Sequence, residues 1–339
     1  MAMNKLEKIY FKDFVKLKRG YDLPNDKIVD GKYPVVASTS IKAFHKEYKV
    51  LPPSVVTGRS GSLGEVQFID TPCWPLNTAL YVKNFNKNNP KYVYYFLRMI
   101  HLENFNSGAG VPTLNQNHLH KLKIKIHSKE EQQQIAAILS AYDDLIETNN
   151  QRIVTLEQLA QQIYKEWFVR MRFPGWENTP LLHGIPEDWK VKNLGEIITL
   201  EYGKSLVEEN RLHGVIPVYG SSGIVGFHNK SFVNSPGIIV GIKGNVGAIH
   251  FVDKPFYPID TVFYVVPKVQ NWFFLFFMLK NQNFINSDAA VPGLNRNQAY
   301  STKFFLPPQD LINTFENLIS PFFDQIKVLQ EQIELYLLR

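Results

Sequence analysis

Two glycine-rich turns and two asparagine-rich segments hold residue types that contact polyanions. Residues 58–61 read GRSG and residues 241–244 read GIKG. Glycine lets a backbone approach a phosphate or a base edge closely, and the basic residue supplies charge. The segments 115–117 (NQN) and 295–297 (NRN) offer amides that can read adenine and an arginine that can read guanine. The plainer interpretation of both features is tight-turn and helix-cap chemistry.

Side chains from these turns and segments, together with basic residues of nearby loops, are the candidate DNA contacts. In chain order the candidates are Lys42, His45, Arg59, Ser60, Asn115, Asn117, Lys204, His228, Lys230, Lys243, Asn295, Arg296 and Asn297.

The glycine-rich turn and the asparagine-rich segment each occur twice because the chain repeats itself. The blocks 54–69 and 73–82 recur at 237–252 and 256–265 with one offset, so that Gly58 corresponds to Gly241, 183 residues later. The segment GVPTLNQN at 110–117 recurs as AVPGLNRN at 290–297 with an offset of 180, and a helical pattern follows each copy. A duplicated domain joined to duplicated helices predicts two similar tasks performed a fixed distance apart.

The elements that must position these residues are short strands and two long helices. Short β-rich runs separated by turns predict mixed α/β (α+β) domains in tandem at 1–128 and 171–308, the latter beginning with a linker at 171–189. Heptad-spaced apolar rows predict long helices at 129–170 and 309–339. Neither helix can bury its stripe alone, so we expect the two to pair as an antiparallel coiled coil.

The predicted seam of the first helix has three apolar rows and two polar interruptions. The rows begin at Ile135, Ile138 and Leu139, and the interruptions are Asn149 and Arg152. These polar residues form either a tolerated polar layer or a register device, since a buried asparagine can fix the register of a coiled coil.

Charge separates the globular parts from the helices. Residues 1–128 hold 19 Lys and Arg against 9 Asp and Glu, a net charge of +10, whereas 129–170 and 309–339 are each −3. Residues 171–308 are only weakly basic, at +2. A basic globular domain indicates a polyanionic partner, and acidic helices do not favour phosphate binding.

Signatures of catalysis, metal binding and export are not found in the sequence. There is no Gly-x-Gly-x-x-Gly, no complete phosphate loop around Lys204 and no Asn/Asp-Pro-Pro-Tyr/Phe motif of adenine methyltransferases. His118 and His120 have no evident third ligand, and the single cysteine excludes an intramolecular disulfide. No signal peptide or membrane-length apolar run is present. We therefore expect a non-enzymatic cytoplasmic protein without a metal site.

Taken together, these features resemble the specificity subunit of a type I restriction–modification system. The resemblance rests on SVVTGRSGSLGEVQFI at 54–69 with WPLNTALYV, on VPTLNQN, and on the helix end LEQLAQQIYKEWFVRMRFPGW at 156–176. It implies two target recognition domains, each reading one half of a bipartite site in double-stranded DNA, with the coiled coil setting the gap. It also implies docking of two methyltransferase subunits and of motor-nuclease restriction subunits. S-adenosylmethionine, Mg²⁺ and ATP would be bound by those partners, and no cofactor by this chain.

The same resemblance places methyltransferase docking at Tyr164, Trp167 and Phe168, near the end of the first helix. The counterpart of 157–175 would be 337–355, and the sequence ends at Arg339. We therefore expect weaker docking on that side, or docking that uses residues 1–13. A coiled-coil scaffold with protein-binding globular domains, and an unrecognised enzyme, remain the alternative interpretations.

Overall fold

The computed structural model describes residues 6–108, 110–234, 236–269, 271–284 and 293–337. Residues 290–292, the first three of the repeated segment AVPGLNRN, and the last two residues of the second predicted helix lie outside these ranges. The chain divides into two compact units, Met1–Glu147 and Thr148–Arg339. The division falls inside the first long helix.

The first unit is built on a four-stranded antiparallel sheet in the order β2-β8-β5-β6. A three-stranded sheet, β4-β3-β7, and a pair, β1-β9, complete its β structure. The strands of this unit are β1 (Glu7–Tyr10), β2 (Lys16–Arg19), β3 (Tyr33–Val36), β4 (Ile41–His45), β5 (Ser54–Gly58), β6 (Val66–Ile69), β7 (Trp74–Pro75), β8 (Ala79–Asn84) and β9 (Lys123–Ile126).

The helices of the first unit cover the main sheet. They are α1 (Phe11–Phe14), α2 (Pro90–Met99), α3 (Gln116–His120) and the beginning of α4 (Lys129–Tyr164), with short 3₁₀ turns at Asn25–Lys27 and Leu102–Phe105. Helix α2 begins where Asn89 accepts hydrogen bonds from two backbone amides and Pro90 occupies the first turn, a typical helix start. Its buried face packs with Phe14, Leu80 and Leu102 in one apolar core.

The second unit repeats this architecture. Its sheets have the orders β13-β19-β16-β17, β15-β14-β18, β12-β20 and β10-β11. The strands are β10 (Leu181–Leu182), β11 (Ile185–Pro186), β12 (Lys190–Asn193), β13 (Ile198–Tyr202), β14 (Ile216–Gly220), β15 (Gly223–His228), β16 (Gly237–Gly241), β17 (Ile249–Val252), β18 (Tyr257–Pro258), β19 (Val262–Pro267) and β20 (Lys303–Leu306).

The helices of the second unit include the end of α4 and four further segments. After Tyr164 the chain continues as a π-helical turn, Lys165–Val169. The other segments are α5 (Leu194–Ile197), α6 (Trp272–Lys280), α7 (Arg296–Ser301) and α8 (Gln309–Leu337), with 3₁₀ turns at Trp176–Asn178 and Glu208–Asn210.

The two main sheets share one strand register. Val56 pairs with Tyr81 in the first unit, and Ile239 pairs with Tyr264 in the second, each shifted by 183. Strands β5 and β16 are buried along their whole length, as continuous apolar runs within a sheet core are expected to be. The repeat seen in the sequence is therefore a repeat of fold.

Helices α4 and α8 pair antiparallel within the second unit, which confirms the predicted coiled coil. The ring of Tyr164 lies 6.0 Å from that of Phe315. Asn149, fifteen residues earlier on α4, donates from Nδ2 to Oε1 of Gln332, seventeen residues later on α8, at 3.2 Å. Contacts that move towards the N-terminus of one helix and the C-terminus of the other define an antiparallel pair.

One of the three predicted apolar rows of α4 does not lie in a seam. Ile138, Leu145 and Leu159 have exposed fractions of 59%, 45% and 47%, and Arg152 in the same row is exposed. The prediction that Arg152 interrupts the seam is therefore wrong. An α-helix turns 100° per residue, so three adjacent rows span more of its circumference than one partner helix covers.

Candidate nucleic-acid interface

In the first unit, the glycine-rich turn and the asparagine-rich segment lie side by side. The backbone amide of Leu114 donates to the carbonyl of Arg59 at 2.8 Å, and that of Gly61 donates to the carbonyl of Pro112 at 3.0 Å. Two segments that are far apart in sequence thus join through backbone hydrogen bonds. The turn itself requires glycine at position 58, because a Cβ there would lie 2.1 Å from the carbonyl oxygen of Ser62.

A polar cleft of about 290 Å³ opens where these segments meet, lined in part by Arg19, Arg59, Gln116 and Asn117. Arg59 donates from Nε to the carbonyl of Asn77 at 2.9 Å, which fixes the guanidinium. Burial, followed by the neighbouring Arg19 guanidinium, lowers the pKa of Arg59. Two cationic groups therefore share a partly desolvated space.

The cleft also holds a polar atom that lacks a partner. Oε1 of Gln116 is buried and accepts no hydrogen bond from the described residues. An unpaired buried acceptor costs free energy, on the order of 1–3 kcal/mol, unless a ligand or solvent pairs with it. The residues that line the cleft thus combine guanidinium donors with side chains that carry acceptor oxygens, and Gln116 is one of them.

The second unit builds the equivalent site differently. The backbone amide of Leu294 again donates to its partner in the turn, the carbonyl of Ile242, at 2.9 Å. The Ile242 side chain, however, is buried in the core, and Lys243 beside it is exposed. The guanidinium of Arg296 lies over the ring of Tyr202, 5.3 Å from its centroid, in a cation–π contact.

The two units therefore share the backbone arrangement of this site and differ in its side chains. Arg19, Arg59 and Gln116 of the first unit correspond to Tyr202, Ile242 and Arg296 of the second. Arg19 and Tyr202 were not among the sequence candidates, because only strand pairing brings them beside the turn.

His45 and His228 lie inside the protein, so their prediction as DNA contacts is wrong. Their exposed fractions are 4% and 7%. Nδ1 of each ring lies 3.0 Å from a backbone amide, that of Val29 or that of Leu212, and accepts its hydrogen bond. The two histidines are equivalent and hold equivalent loops.

Asn115 and Asn295 cap the short helices that follow them. Oδ1 of each accepts from the backbone amide two residues later, at 2.9 Å. Bidentate reading of adenine requires that same oxygen, so the structure supports the capping interpretation for both residues. Asn117 and Asn297 are exposed and stay candidates.

The remaining candidates are accessible. Lys42 is exposed and donates from Nζ to Oδ1 of Asn25 at 2.8 Å. Lys204 and Lys230 are exposed, and Ser60 is half-buried, its carbonyl accepting from Oγ of Ser38 at 3.1 Å. Their contacts with DNA stay predictions.

Comparison with known proteins identifies both repeats. The family model described as "Type I restriction modification DNA specificity domain" matches residues 3–158 and 186–334. The chain belongs to this specificity-domain family. The match includes the candidate sites of both units and most of the two long helices.

Named relatives and a solved structure agree with this membership. The type I restriction enzyme MjaIX specificity subunit of Methanocaldococcus jannaschii is 25% identical over 280 residues, covering 72% of this chain and 64% of that protein. The MjaVIII specificity subunit of the same organism is 28% identical over 207 residues, covering 57% of this chain and 49% of that protein. The chain thus spans less than two thirds of either relative. The crystal structure of the type I system S subunit from M. genitalium shares the fold, with a TM-score of 0.65, 19% identity and coverage of 100% of this chain and 94% of that one.

In this specificity-domain chain, the residues predicted to dock a methyltransferase are largely internal. Tyr164 and Phe168 have exposed fractions of 5% and 8%, and Trp167 is half-buried against Phe315. The prediction is wrong for Tyr164 and Phe168, because both pack into the core of the second unit. The helical spacing of these aromatic residues indicates that they are buried. It does not show whether they are buried in the chain's own core or against a partner protein.

Asn149 lies in the seam of the helix pair, with an exposed fraction of 4%. Its amide is paired with Gln332, so the polar layer is satisfied. A role in fixing register stays a prediction. Among the described residues there is no group of three or more His, Cys, Asp or Glu side chains that could hold a metal ion. None of the helices in the described ranges is long and apolar enough to cross a membrane.

Proposed function

We propose that this chain is the DNA specificity subunit of a type I restriction–modification complex. Each recognition domain reads one half of a bipartite site, and the subunit directs adenine methylation or restriction to that site. The observation that carries the proposal is a repeated backbone arrangement of turn and asparagine-rich segment with two different sets of side chains, in a chain whose two repeats both match the specificity-domain family. Reading two different half-sites requires such a combination.

The first cleft offers groups complementary to the major-groove edge of a base pair. Two guanidiniums supply donors, and Gln116, whose Oε1 has no partner among the described residues, supplies an acceptor beside them. A phosphate group provides acceptors only, whereas a G·C pair presents O6 and N7 of guanine as acceptors and N4 of cytosine as a donor. We infer that Arg59 contacts guanine, and that Gln116 pairs with the cytosine amino group.

The equivalent site of the second unit favours a different base. Ile242 stands where the first unit has Arg59 and is buried, and Arg296, at the position of Gln116, lies over the ring of Tyr202. Lys243 adds an exposed ammonium group. The half-site read by this domain therefore differs from that read by the first.

The α4–α8 pair is proposed to set the gap between the half-sites. One heptad adds about 10 Å to a helix at 1.5 Å per residue. That length corresponds to roughly three base pairs at 3.4 Å each. Inserting seven residues into each helix, at positions that keep Asn149 opposite Gln332, should lengthen the recognised gap by about three base pairs. An unchanged gap would contradict the spacer role.

The partners and cofactors follow from the proposed role. Two methyltransferase subunits would bring S-adenosylmethionine, and restriction subunits would bring Mg²⁺ and ATP for translocation and cleavage. This chain would act as a non-catalytic cytoplasmic subunit that binds double-stranded DNA.

Arg59 provides the test of base reading. The subunit is assembled with its methyltransferase, and duplex affinity is measured as a function of salt for wild type, Arg59→Ala and Arg59→Lys. Loss of a bidentate guanine contact should cost about 1–3 kcal/mol on the cognate duplex and relax discrimination at one G·C position. Arg59→Lys should keep the charge and lose the discrimination.

Lys125→Ala is the matched control, because Lys125 is exposed and does not line the cleft. It should leave base discrimination unchanged. If Arg59→Ala instead weakens all duplexes equally and lowers the salt slope by about one, Arg59 binds a phosphate and the base-reading assignment is wrong.

A further inference from the structure

Helices α2 and α6 are equivalent at an offset of 182, which allows their surfaces to be compared position by position. The ring centroids of Phe68 and Tyr94 are 5.9 Å apart, and those of the equivalent pair Phe251 and Phe276 are 5.8 Å apart. At this offset Tyr92 corresponds to Phe274, and Tyr95 corresponds to Phe277.

In the second unit, an aromatic segment covers the outer face of α6. Tyr164, Trp167 and Phe168 stand at positions i, i+3 and i+4 and therefore share one face. Their rings lie 5.1–6.1 Å from those of Phe274, Phe277 and Phe315. Phe277 has an exposed fraction of only 1% as a result.

In the first unit, the equivalent face of α2 is an open apolar groove. The groove encloses about 490 Å³ and is lined by Tyr92, Tyr95, Met99, Ile135 and Leu139, among others. Ile135 is the counterpart of Phe315 at the offset of 180.

Most of the side chains that line this groove are more exposed to solvent than their counterparts in the second unit. Tyr95 is half-buried, whereas its counterpart Phe277 is fully buried, and Met99 at the rim is 66% exposed. One side chain of the groove wall is held in place by a hydrogen bond between α2 and α4. The hydroxyl of Tyr95 donates to Oδ2 of Asp143 at 2.7 Å. A preformed apolar groove of this kind suits a helix that presents a row of apolar anchors.

We propose that this groove binds a helix of a partner protein that presents aromatic side chains at i, i+3 and i+4. The equivalent face of α6 in the second unit is already covered, and the residues that cover it define the chemistry of the occupant. They are a tyrosine and a phenylalanine that are buried and a tryptophan that is half-buried. The chain's own segment of this kind is already buried in the second unit, so a second copy would have to unfold to supply it. The identity of the partner as a subunit of the restriction–modification complex rests on the proposed function.

A peptide of residues 158–172 is the probe, because it contains the aromatic segment that covers the equivalent face of α6 in the second unit. A fluorescently labelled peptide is titrated with the full-length chain, and binding is followed by anisotropy. Met99→Glu should weaken binding at least tenfold, since Met99 is exposed and its replacement places charge at the groove rim without disturbing the core. Leu145→Glu, an exposed position on α4 outside the groove lining, should bind as wild type does.

The matched control peptide carries Trp167→Ala and Phe168→Ala and should not bind. Equal affinity of wild type and Met99→Glu for the peptide, or no binding to wild type, would overturn the proposal. Self-association of the full-length chain that Met99→Glu abolishes would overturn the assignment to a partner protein and identify a second copy as the occupant.

The peptide assay contains no DNA or methyltransferase, so it separates this inference from the proposed function. Loss of methyltransferase assembly in Met99→Glu, with peptide binding also lost, would identify the methyltransferase as the source of the helix. If the chain binds the peptide but directs no methylation, the groove inference is supported and the proposed specificity role is contradicted.

Discussion

Replacing Glu316 with glutamine should stabilise the second unit, and most strongly at alkaline pH. Glu316 projects from α8, and its Oε1 accepts a hydrogen bond from the backbone amide of Phe274, in the first turn of α6, at 2.7 Å. Burial raises the pKa of this carboxyl to about 7, although the amide hydrogen bonds oppose the shift. Glutamine keeps an acceptor oxygen at this position and has no charge to desolvate.

The sign of the pH dependence follows from the raised pKa. A carboxyl whose pKa is higher in the folded than in the unfolded state contributes stability below the unfolded value, near 4.5, and loses it as pH rises through about 7. The part of this loss that falls between pH 5.5 and pH 8.5 is about 2 kcal/mol before solvent screening, at about 1.36 kcal/mol per pKa unit. Partial exposure of Glu316 to solvent screens this charge, so about 1 kcal/mol is the expected difference.

The assay is denaturant unfolding of wild type and Glu316→Gln at both pH values. The stabilisation by glutamine should be about 1 kcal/mol larger at pH 8.5 than at pH 5.5. Glu331→Gln, an exposed change on the same helix, serves as the control and should show no such difference. Equal effects of Glu316→Gln at the two pH values, or destabilisation at pH 8.5, would refute the reasoning.

Three further variants test the assignments of individual residues. Phe168→Ala should destabilise the second unit by about 3–5 kcal/mol, because it empties a buried aromatic site; a small loss in denaturant unfolding would contradict its core assignment. His45→Ala should lower stability by about 1–3 kcal/mol by leaving the amide of Val29 unpaired, while the salt slope of DNA binding stays constant; a changed slope would restore His45 as a DNA contact. Gly58→Ala should lower the thermal midpoint, because its Cβ would collide with the carbonyl of Ser62; an unchanged midpoint would show that the turn can relax.

Features that depend on local periodicity could be predicted from the sequence. The offset of 183 marks equivalent strands because a duplicated fold must keep its buried runs, and the structure confirms this in the matching registers of β5 and β16. The antiparallel helix pair was predictable because two apolar stripes require a common cover. Asn149 could be placed in the seam from heptad spacing alone.

Side-chain roles that depend on tertiary packing could not be predicted. Histidine suits both a DNA contact and a buried acceptor, and only the fold places His45 beneath its loop. The family resemblance placed methyltransferase docking at Tyr164 and Phe168, and the sequence does not show that both pack against α6. Arg19 became a candidate only when strand pairing placed it beside Arg59.

Single-molecule methylation sequencing of host DNA, with and without this gene and with the cognate methyltransferase present, tests the central claim most directly. We predict that deleting the gene removes methyl-adenine from one split motif whose two halves differ, and that the motif reveals both half-sites and the gap. An unchanged methylation map, with the methyltransferase shown to be active, would contradict the specificity role.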